Sequence, residues 1–329
     1  MKKFVIGVDV GGTEVKFGLF ADTLLEKWSI PTNTKNMGTE ILPEIADSIE
    51  KVCRKRGIDA TSIIGVGIGV PGPVTDSRHV QGCVNLGWGD KDVAGELAIC
   101  LENSFSCESQ RFLVRAANDA NAAALGELWQ GGGRQSKSLV MVTLGTGIGG
   151  GIVVDGKIFD GAWGSAGEIG HICCVDEADI ISTCSCGNRG CLEQIASATG
   201  IAAYAKVCLE KKTMDSVLRE LVRETGHLDA KDVLDAGKAG DLLADEIVEK
   251  AAFYLGRGIA AVCAVMNPER ILIGGGVAGA GEYLRAKVEK YFRQQAFHTM
   301  KDTPIRLGEL GNQAGITGAA YRILSEMLL

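Results

Sequence analysis

The chain has 329 residues, a length that favours two domains, and its 46% hydrophobic and 23% charged residues are typical of a globular protein with a sizeable core. Lys and Arg number 34 against 41 Asp and Glu, and the net charge of −7 argues against nucleic acid or an anionic membrane as the main partner. Asp9 interrupts the apolar start, and no apolar run reaches the roughly 18 residues of a membrane span, so we predict a cytoplasmic protein.

Elements of the first half follow from hydrophobic periodicity, because strands repeat every two residues and helices every 3.6. The predicted strands cover residues 3–10, 15–21, 27–32, 62–74 and 111–119. The predicted helices cover residues 40–57, 95–105 and 120–130. The first two strands are close enough to form a hairpin around the turn that follows Asp9.

The second half begins with a β-rich segment and becomes mainly helical. Residues 138–161 read as three strands joined by a glycine turn and by the turn Asp155-Gly156. Helices are predicted over 199–211, 245–266, 281–297 and 314–328, and strands over 270–278 and 305–310. The alternation of strands and helices predicts an α/β protein.

Two glycine turns of similar pattern lie between strands, Asp9–Thr13 and Leu144–Gly150. They are about 135 residues apart, near one domain length, and the pattern alone leaves open an internal duplication or a chance similarity. The windows Gly67–Gly72 and Gly145–Gly150 match the dinucleotide pattern G-x-G-x-x-G, but neither opens a helix, which argues against a dinucleotide fingerprint, and no P-loop pattern occurs. Exposed turn N–H groups can bind phosphate, with Thr13 and Thr146 as further donors. A carboxylate at Asp9 suits such a site only if Mg²⁺ lies between it and the phosphate.

Asp119 lies where a predicted strand meets an Ala-rich helix, in "AANDANAAALGE". One interpretation is a helix N-cap, a position that favours Asp and Asn. The other is a general base that accepts the proton of a substrate hydroxyl. The pattern leaves both open, and one residue can serve both roles.

The segment 167–197 holds five of the 11 cysteines and one of four histidines. Cys184, Cys186 and Cys191 fall within eight residues, and His171 precedes them. Three thiols and one imidazole form the ligand set of a structural zinc site, whereas unligated thiols or a redox pair is the alternative. The adjacent Cys173 and Cys174 are interpreted as thiols outside the site.

Taken together, these motifs resemble the ROK family of bacterial sugar kinases, and most of all its glucokinases. The resemblance spans the chain and rests on the order and spacing of six segments. They are "DVGGT", "NDAN", "TLGTGIGGG", "GEIGH", "CSCGNRGCLE" and "NPERILIGGGV". It implies an actin-like, ribonuclease H-like ATPase fold with two α/β domains around a cleft. The smaller domain would comprise 1–117 with 309–329, and the larger 118–308 with the zinc loop.

The resemblance also implies a reaction and its residues: ATP-dependent phosphorylation of the 6-hydroxyl of glucose, with Asp119 as the base. Sugar would be bound by Gly72, Asn118, Asp119, Glu168, His171 and Glu193, with His171 also on zinc. ATP and Mg²⁺ would be bound by Asp9, Gly11, Gly12, Thr13, Lys16, Gly145, Thr146, Gly147, Gly149, Gly150 and Gly275. Structural Zn²⁺ would be held by His171, Cys184, Cys186 and Cys191.

Several alternatives stay open at this stage. Kinases for N-acetylglucosamine, N-acetylmannosamine, mannose, allose or fructose share the same signature, and Trp163 near Glu168 is a candidate determinant of sugar preference. A non-catalytic sugar sensor would keep the fold, but the intact Asp119 and both phosphate turns argue against it. A repressor would carry a helix-turn-helix segment before the first strand, which begins here at Lys3. A homodimer is expected only because the family commonly forms one.

Overall fold

The computed structural model describes residues 3–107 and 111–327. Its contacts group into two compact units. The first comprises Met1–Gln135, Gly151–Ala166 and Glu309–Leu329, and the second comprises Ser136–Gly150 and Gly167–Gly308. The functional domain boundary between residues 117 and 118 stays a prediction.

A five-stranded sheet with the order β3-β2-β1-β4-β8 forms the centre of the first unit. Its strands are β1 Phe4–Val10, β2 Glu14–Phe20, β3 Leu24–Pro31, β4 Ile63–Val70 and β8 Val114–Asn118. The first two form the predicted antiparallel hairpin, and β1, β4 and β8 run parallel. Parallel neighbours bring the carboxyl ends of these three strands to one edge, where ligands of α/β sheets usually bind.

The helices described in the first unit are α1 Lys35–Gly38, α2 Ile41–Lys55, α3 Val93–Ser104, α4 Asp119–Gln130 and α11 Ala314–Met327. The apolar stripe of α2 (Ile41, Ile45 and Ile49) is fully buried in the main hydrophobic core beside β1 and β4. The predicted helix over 40–57 is thereby confirmed, and its amphipathic pattern follows from one-sided burial.

Helix α11 covers the opposite side of β1 and β4 at very short range. A Cβ atom on Gly7 would lie 1.8 Å from the carbonyl oxygen of Ile316, and one on Gly67 would lie 1.7 Å from that of Ala319. The same helix crosses α4 where Gly318 faces the backbone of Ala122. Side chains are excluded from these crossings, so backbone packs directly on backbone.

Glu127, on α4, is a completely buried carboxylate. Its Oε2 atom accepts hydrogen bonds from the amides of Gly132 (2.8 Å) and Glu309 (3.0 Å), and its Oε1 atom accepts one from the amide of Leu310 (2.8 Å). Three backbone donors satisfy the charge, as a buried carboxylate requires. Glu127 therefore fixes the chain that leads into α11.

A small antiparallel sheet in the first unit was not anticipated from the sequence. It contains β5 Val74–Thr75, β6 His79–Cys83 and β7 Trp88–Asp92. The strands are short, and β7 is mostly polar, so they lack the apolar alternation by which strands are predicted.

The second five-stranded sheet has the order β11-β10-β9-β12-β13. Its strands are β9 Leu139–Leu144, β10 Ile148–Val154, β11 Lys157–Ile158, β12 Arg270–Gly274 and β13 Ile305–Leu307. The second unit adds α5 Glu193–Ala196, α6 Ala198–Lys211, α7 Val217–Thr225, α8 Ala230–Lys238, α9 Leu242–Met266 and α10 Glu282–Gln295. Helices α7 and α8 were not predicted.

The α/β class is confirmed, and the predicted strands and helices are present with shifts of a few residues at their ends. Within residues 3–107 and 111–327, no helix combines the length and the apolar character that crossing a bilayer requires.

Candidate functional site

Asp9 lies at the carboxyl edge of the first sheet, near the end of β1. Its register partner on β4 is Gly69, which in turn is level with Ala117 on β8. A Cβ on Gly69 would lie 3.7 Å from an Asp9 carboxylate oxygen and 3.3 Å from Cβ of Ala122, so the small residue leaves room between Asp9 and α4. The sheet thereby brings Asp9 close to the start of the helix that carries Asp119.

Burial raises the pKa of Asp9 to about 6, and the negative charge of Asp119 adds to the shift, while Lys16 opposes it. Lys16 is directly opposite Asp9 across the β1–β2 hairpin, so both side chains lie on the same face of the sheet. Ionisation of Asp9 is costly because the site is buried and Asp119 is close. A bound cation would offset that cost, so the pair favours cation binding. These residues therefore fit a Mg²⁺ ion near Asp9.

Gly315, in the first turn of α11, also shapes this position. A Cβ there would lie 2.6 Å from Oδ2 of Asp9. Any side chain at position 315 would collide with the carboxylate. Sequence reasoning missed Gly69 and Gly315, because only the fold brings these glycines to Asp9.

The side chain that caps α4 belongs to Asn118. Its Oδ1 accepts from the amides of Ala120 (2.9 Å) and Asn121 (3.2 Å), and its Nδ2 donates to the carbonyl of Gly72 (3.1 Å). Asn118 thus performs the capping function that was one interpretation of Asp119. The Asn118 side chain also hydrogen-bonds to the carboxylate of Asp119, and this bond lowers the pKa of Asp119.

Asp119 is the first residue of α4, and its side chain is exposed to solvent. The protein volume around the carboxylate raises its pKa, while hydrogen bonds from the amides of Ala120 and Asp119 itself lower it in part. Its Oδ1 accepts from the Ala120 amide at 2.8 Å. A solvent-accessible carboxylate with a raised pKa can take a proton from an approaching hydroxyl.

The turn at Gly11, Gly12 and Thr13 is open on its outer side. The amide of Gly11 donates to the carbonyl of Glu14, and nothing lies within 4 Å of a Cβ built on Gly12. Exposed turn backbone of this kind leaves room for a ligand.

Gly72, which follows β4, has a backbone conformation that requires glycine. Its φ is +101°, and a Cβ there would lie 2.8 Å from the carbonyl oxygen of Gly82, so only glycine fits.

The second glycine turn borders a cavity of about 460 Å³ within the second unit. Gly145 and Thr146 line it together with the apolar side chains of Leu234 and Val277. Gly276 and Gly279 also line it, and Gly275 is adjacent in the chain, where a Cβ would lie 2.4 Å from the carbonyl oxygen of Leu144. A mostly apolar cavity beside a glycine turn suits a purine with its phosphates.

Gly149 and Gly150 continue the turn into β10. A Cβ on Gly150 would lie 2.4 Å from the carbonyl oxygen of Gly167 and 2.3 Å from Cδ1 of Ile169. Gly150 therefore lets the segment that carries Glu168 pack directly on the second glycine turn.

His171, Cys184, Cys186 and Cys191 come together in the second unit, with one ligand atom of each within 4.8 Å of all the others. The Nδ1 atom of His171 lies 3.6 Å from Sγ of Cys184, and the Sγ atoms of Cys186 and Cys191 are 3.7 Å apart. Tetrahedral zinc with usual bond lengths needs edges of about 3.6 Å (N to S) and about 3.8 Å (S to S). The four residues thus fit the ion.

Two carboxylates flank the cluster. Oε1 of Glu193 lies 3.1 Å from Sγ of Cys184. A Cβ atom built on Gly147 would lie 2.7 Å from Oε2 of Glu193. Oε2 of Glu168 lies 3.8 Å from Nε2 of His171. Nε2 and Glu168 could therefore bind one ligand hydroxyl, whereas Glu193 lies nearer Nδ1, at 3.9 Å, on the side of Cys184.

Known proteins of one family match this chain over nearly all of its length. The ROK family model matches residues 5–326. A glucokinase of Halalkalibacterium halodurans is 38% identical over 98% of this chain and 95% of its own length, and one of Thermotoga maritima is 35% identical over 96% of both. The crystal structure of a ROK family glucokinase from Streptomyces griseus in complex with glucose and AMPPNP has a TM-score of 0.75 at 30% identity, covering 97% of this chain and 98% of its own. The predicted actin-like fold is thereby confirmed, and the chain belongs to the ROK family.

Proposed function

We propose that this protein is an ATP-dependent hexose kinase that phosphorylates the 6-hydroxyl of glucose. The observation that carries the proposal is Asp119, an accessible carboxylate at the start of α4 with a raised pKa and with its capping role taken by Asn118. Glucokinases are among its most similar relatives, and they support glucose as the substrate.

The nucleotide would be held at both glycine turns, by backbone N–H groups of Gly12 and Gly147 and by the hydroxyls of Thr13 and Thr146, while the amides of Gly11 and Gly145 close the turns themselves. The cavity lined by Leu234 and Val277 would take the adenine. Mg²⁺ near Asp9 would neutralise phosphate charge, since the transition state of phosphoryl transfer gathers charge on the phosphoryl oxygens. Lys16 would balance the charge of Asp9 when the ion is absent.

Glucose would be recognised by Glu168, His171 and Glu193, with Asn118 and Gly72 at the neighbouring hydroxyls. Zn²⁺ held through Nδ1 of His171 would fix the orientation of the ring, so that Nε2 can bind a sugar hydroxyl. The role of zinc is structural, because four protein ligands leave no open position for a reacting group.

In the reaction, Asp119 would accept the proton of the 6-hydroxyl as the oxygen attacks the γ-phosphorus of ATP. The bond from that phosphorus to the β,γ-bridging oxygen breaks, and ADP leaves. Exclusion of water while both substrates are bound would limit transfer to water. The protein mainly positions the reactants and neutralises charge, which is the usual division of labour in phosphoryl transfer.

The decisive experiment compares Asp119→Asn with the wild-type protein. The amide keeps an oxygen that can accept from Ala120 but cannot take a proton, so we expect kcat to fall by about 10² to 10⁴ while the Kd for glucose stays within a few-fold. Asp155→Asn, in an exposed hairpin turn, is the matched control and should be silent. Near-normal turnover of Asp119→Asn would refute the assignment of the base.

Substrate identity needs a separate measurement. A panel of glucose, mannose, allose, fructose, N-acetylglucosamine and N-acetylmannosamine, assayed with a coupled ADP readout, is expected to give the highest kcat/KM with glucose. Trp163 is 76% exposed and follows Phe159 in the loop before Glu168, so it is the first residue to vary if another sugar is preferred. No ADP release with any hexose would favour a sugar sensor. A homodimer is part of the proposal by family analogy, and sedimentation would test it.

A further inference from the structure

The segment between the first two zinc-site residues, His171 and Cys184, is docked on helix α9. These ligands are 13 positions apart. Between them, Asp176 precedes a single 3-10 turn, Glu177–Asp179, and the carboxylates of Asp176 and Asp179 face three side chains of α9. Those side chains belong to Lys250, Tyr254 and Arg257, which occupy one face of the helix at intervals of four and three residues.

Tyr254 is the centre of this contact and is completely buried. Its hydroxyl donates to Oδ2 of Asp179 at 2.6 Å, lies 3.2 Å from Oδ2 of Asp176 and accepts from the amide of Asp176 at 3.3 Å. Burial and the carboxylate of Asp179 raise the pKa of the phenol, so it remains a donor. A buried phenol between two carboxylates has one favourable arrangement, which makes the contact specific.

The flanking residues of α9 extend the contact in both directions. Lys250 pairs with Asp179 at 2.9 Å, and Arg257 donates to Asp176 at 2.7 Å and to the carbonyl of Cys174 at 2.9 Å. Both ion pairs involve carboxylates whose pKa lies below the usual range, Asp176 because of its bond to Arg257, and Asp179 because its bonds to Tyr254 and Lys250 outweigh its burial.

The same helix also contacts the far end of the zinc loop, by which we mean residues 171–193. A Cβ on Gly258 would lie 2.6 Å from Cδ2 of Leu192, the residue between Cys191 and Glu193. Leu192 is fully buried, and its amide donates to the carbonyl of Ile172 at 3.0 Å, which joins the two ends of the loop. One face of α9 therefore supports the loop on both sides of the ligand cluster.

We infer that this face of α9 holds the zinc loop in its ligating arrangement before the metal binds, and that Tyr254 is the positioning residue at its centre. A preformed loop binds metal without having to fold around it, unlike a zinc finger. Tyr254 touches neither metal nor substrate and acts through the segment 174–179. This inference extends the proposed function, because the same loop carries the sugar-binding Glu193.

The test uses the whole protein, stripped of metal with a chelator, and follows amide hydrogen exchange in peptides from residues 172–183. The wild-type segment is expected to be protected without metal, and Tyr254→Phe to exchange at least about 10-fold faster in it. Zinc affinity, measured by competition with a chromogenic chelator, should fall about 10-fold in the same variant, as is typical when a partner of a ligand shell is lost. Tyr291→Phe, which breaks a phenol bond to Glu249 on α9 away from the loop, should match the wild type.

A kinetic readout separates positioning from general damage. With trace zinc, Tyr254→Phe should raise the KM for glucose and leave kcat and the KM for ATP near wild type, and added zinc should restore the glucose KM. An unprotected segment in the metal-free wild-type protein, or a variant that exchanges like wild type, would overturn the inference. A third outcome is that the variant exchanges faster but neither the wild-type protein nor the variant binds zinc. That outcome would refute the zinc site of the proposed function and support the docking role of Tyr254.

Discussion

Replacing the buried Glu127 by Gln is expected to destabilise the first unit strongly, although the side chain keeps its shape. In the wild-type protein, one carboxylate oxygen accepts from the amides of Gly132 and Glu309, and the other accepts from Leu310. The Gln amide can turn its oxygen toward the first two amides. Its NH₂ group then faces the amide of Leu310, and two donors meet without an acceptor.

The magnitude follows from these three contacts. The amide of the half-buried Leu310, left unpaired against the buried side chain, costs about 1–3 kcal/mol, and the other two bonds each weaken by about 1 kcal/mol when the acceptor loses its charge. We therefore expect Glu127→Gln to lower the free energy of unfolding by about 3–5 kcal/mol. Such a loss is at the upper end of single substitutions.

Urea unfolding followed by circular dichroism would measure this change. Hydrogen exchange in peptides from residues 309–327 would locate it, because the two units need not unfold together. Glu40→Gln, at an exposed position before α2, should change the free energy by no more than about 0.5 kcal/mol. A loss below about 1 kcal/mol in Glu127→Gln would mean that water replaces the missing acceptor, and would refute the reasoning.

Two further predictions concern the ligand sites. Because burial raises the pKa of Asp9 to about 6, the folded chain binds this proton more tightly than the unfolded chain does, and ionisation costs stability as the pH rises through that range. Asp9→Asn should therefore raise the thermal unfolding midpoint at pH 7.5 without Mg²⁺, with a gain that shrinks toward pH 4; an equal gain at both pH values would contradict this. Gly147→Ala should displace the carboxylate of Glu193 and raise the KM for glucose about 10-fold, which corresponds to the loss of roughly one hydrogen bond. Gly145→Ala has open space at its Cβ and should change only the KM for ATP. Equal effects of both variants on the KM for glucose would exclude the contact with Glu193.

Elements with a local signature were predicted well from the sequence. The hairpin β1–β2 and the amphipathic α2 each express their burial through periodicity within the segment. The cysteines of the proposed zinc site also have a local signature, because Cys184, Cys186 and Cys191 are separated by turn-forming residues, and the structure brings them together with His171. Even without a family resemblance, these features indicate an α/β protein with a metal site.

Features that depend on distant parts of the chain were not predicted. Nothing in the sequence near Gly67 shows that α11 will pack against it. Nothing near Gly315 shows that Asp9 will lie beside it. Likewise, the role of Tyr254 depends on carboxylates about 75 positions earlier. Asn118 and Asp119 are adjacent, and only the hydrogen bonds show which of them caps the helix.

The close packing of α11 on β1 and β4 has a consequence for biosynthesis. Strands β1 and β4 leave the ribosome well before α11, the helix that covers them, and Gly7 and Gly67 have no side chains with which to form an alternative surface. The first unit therefore cannot complete its core until translation has passed residue 320, whereas residues 136–308 are available earlier. Assembly is expected to start from residues 136–308. The sheet that contains β1 and β4 is expected to complete its packing only when α11 has been synthesised.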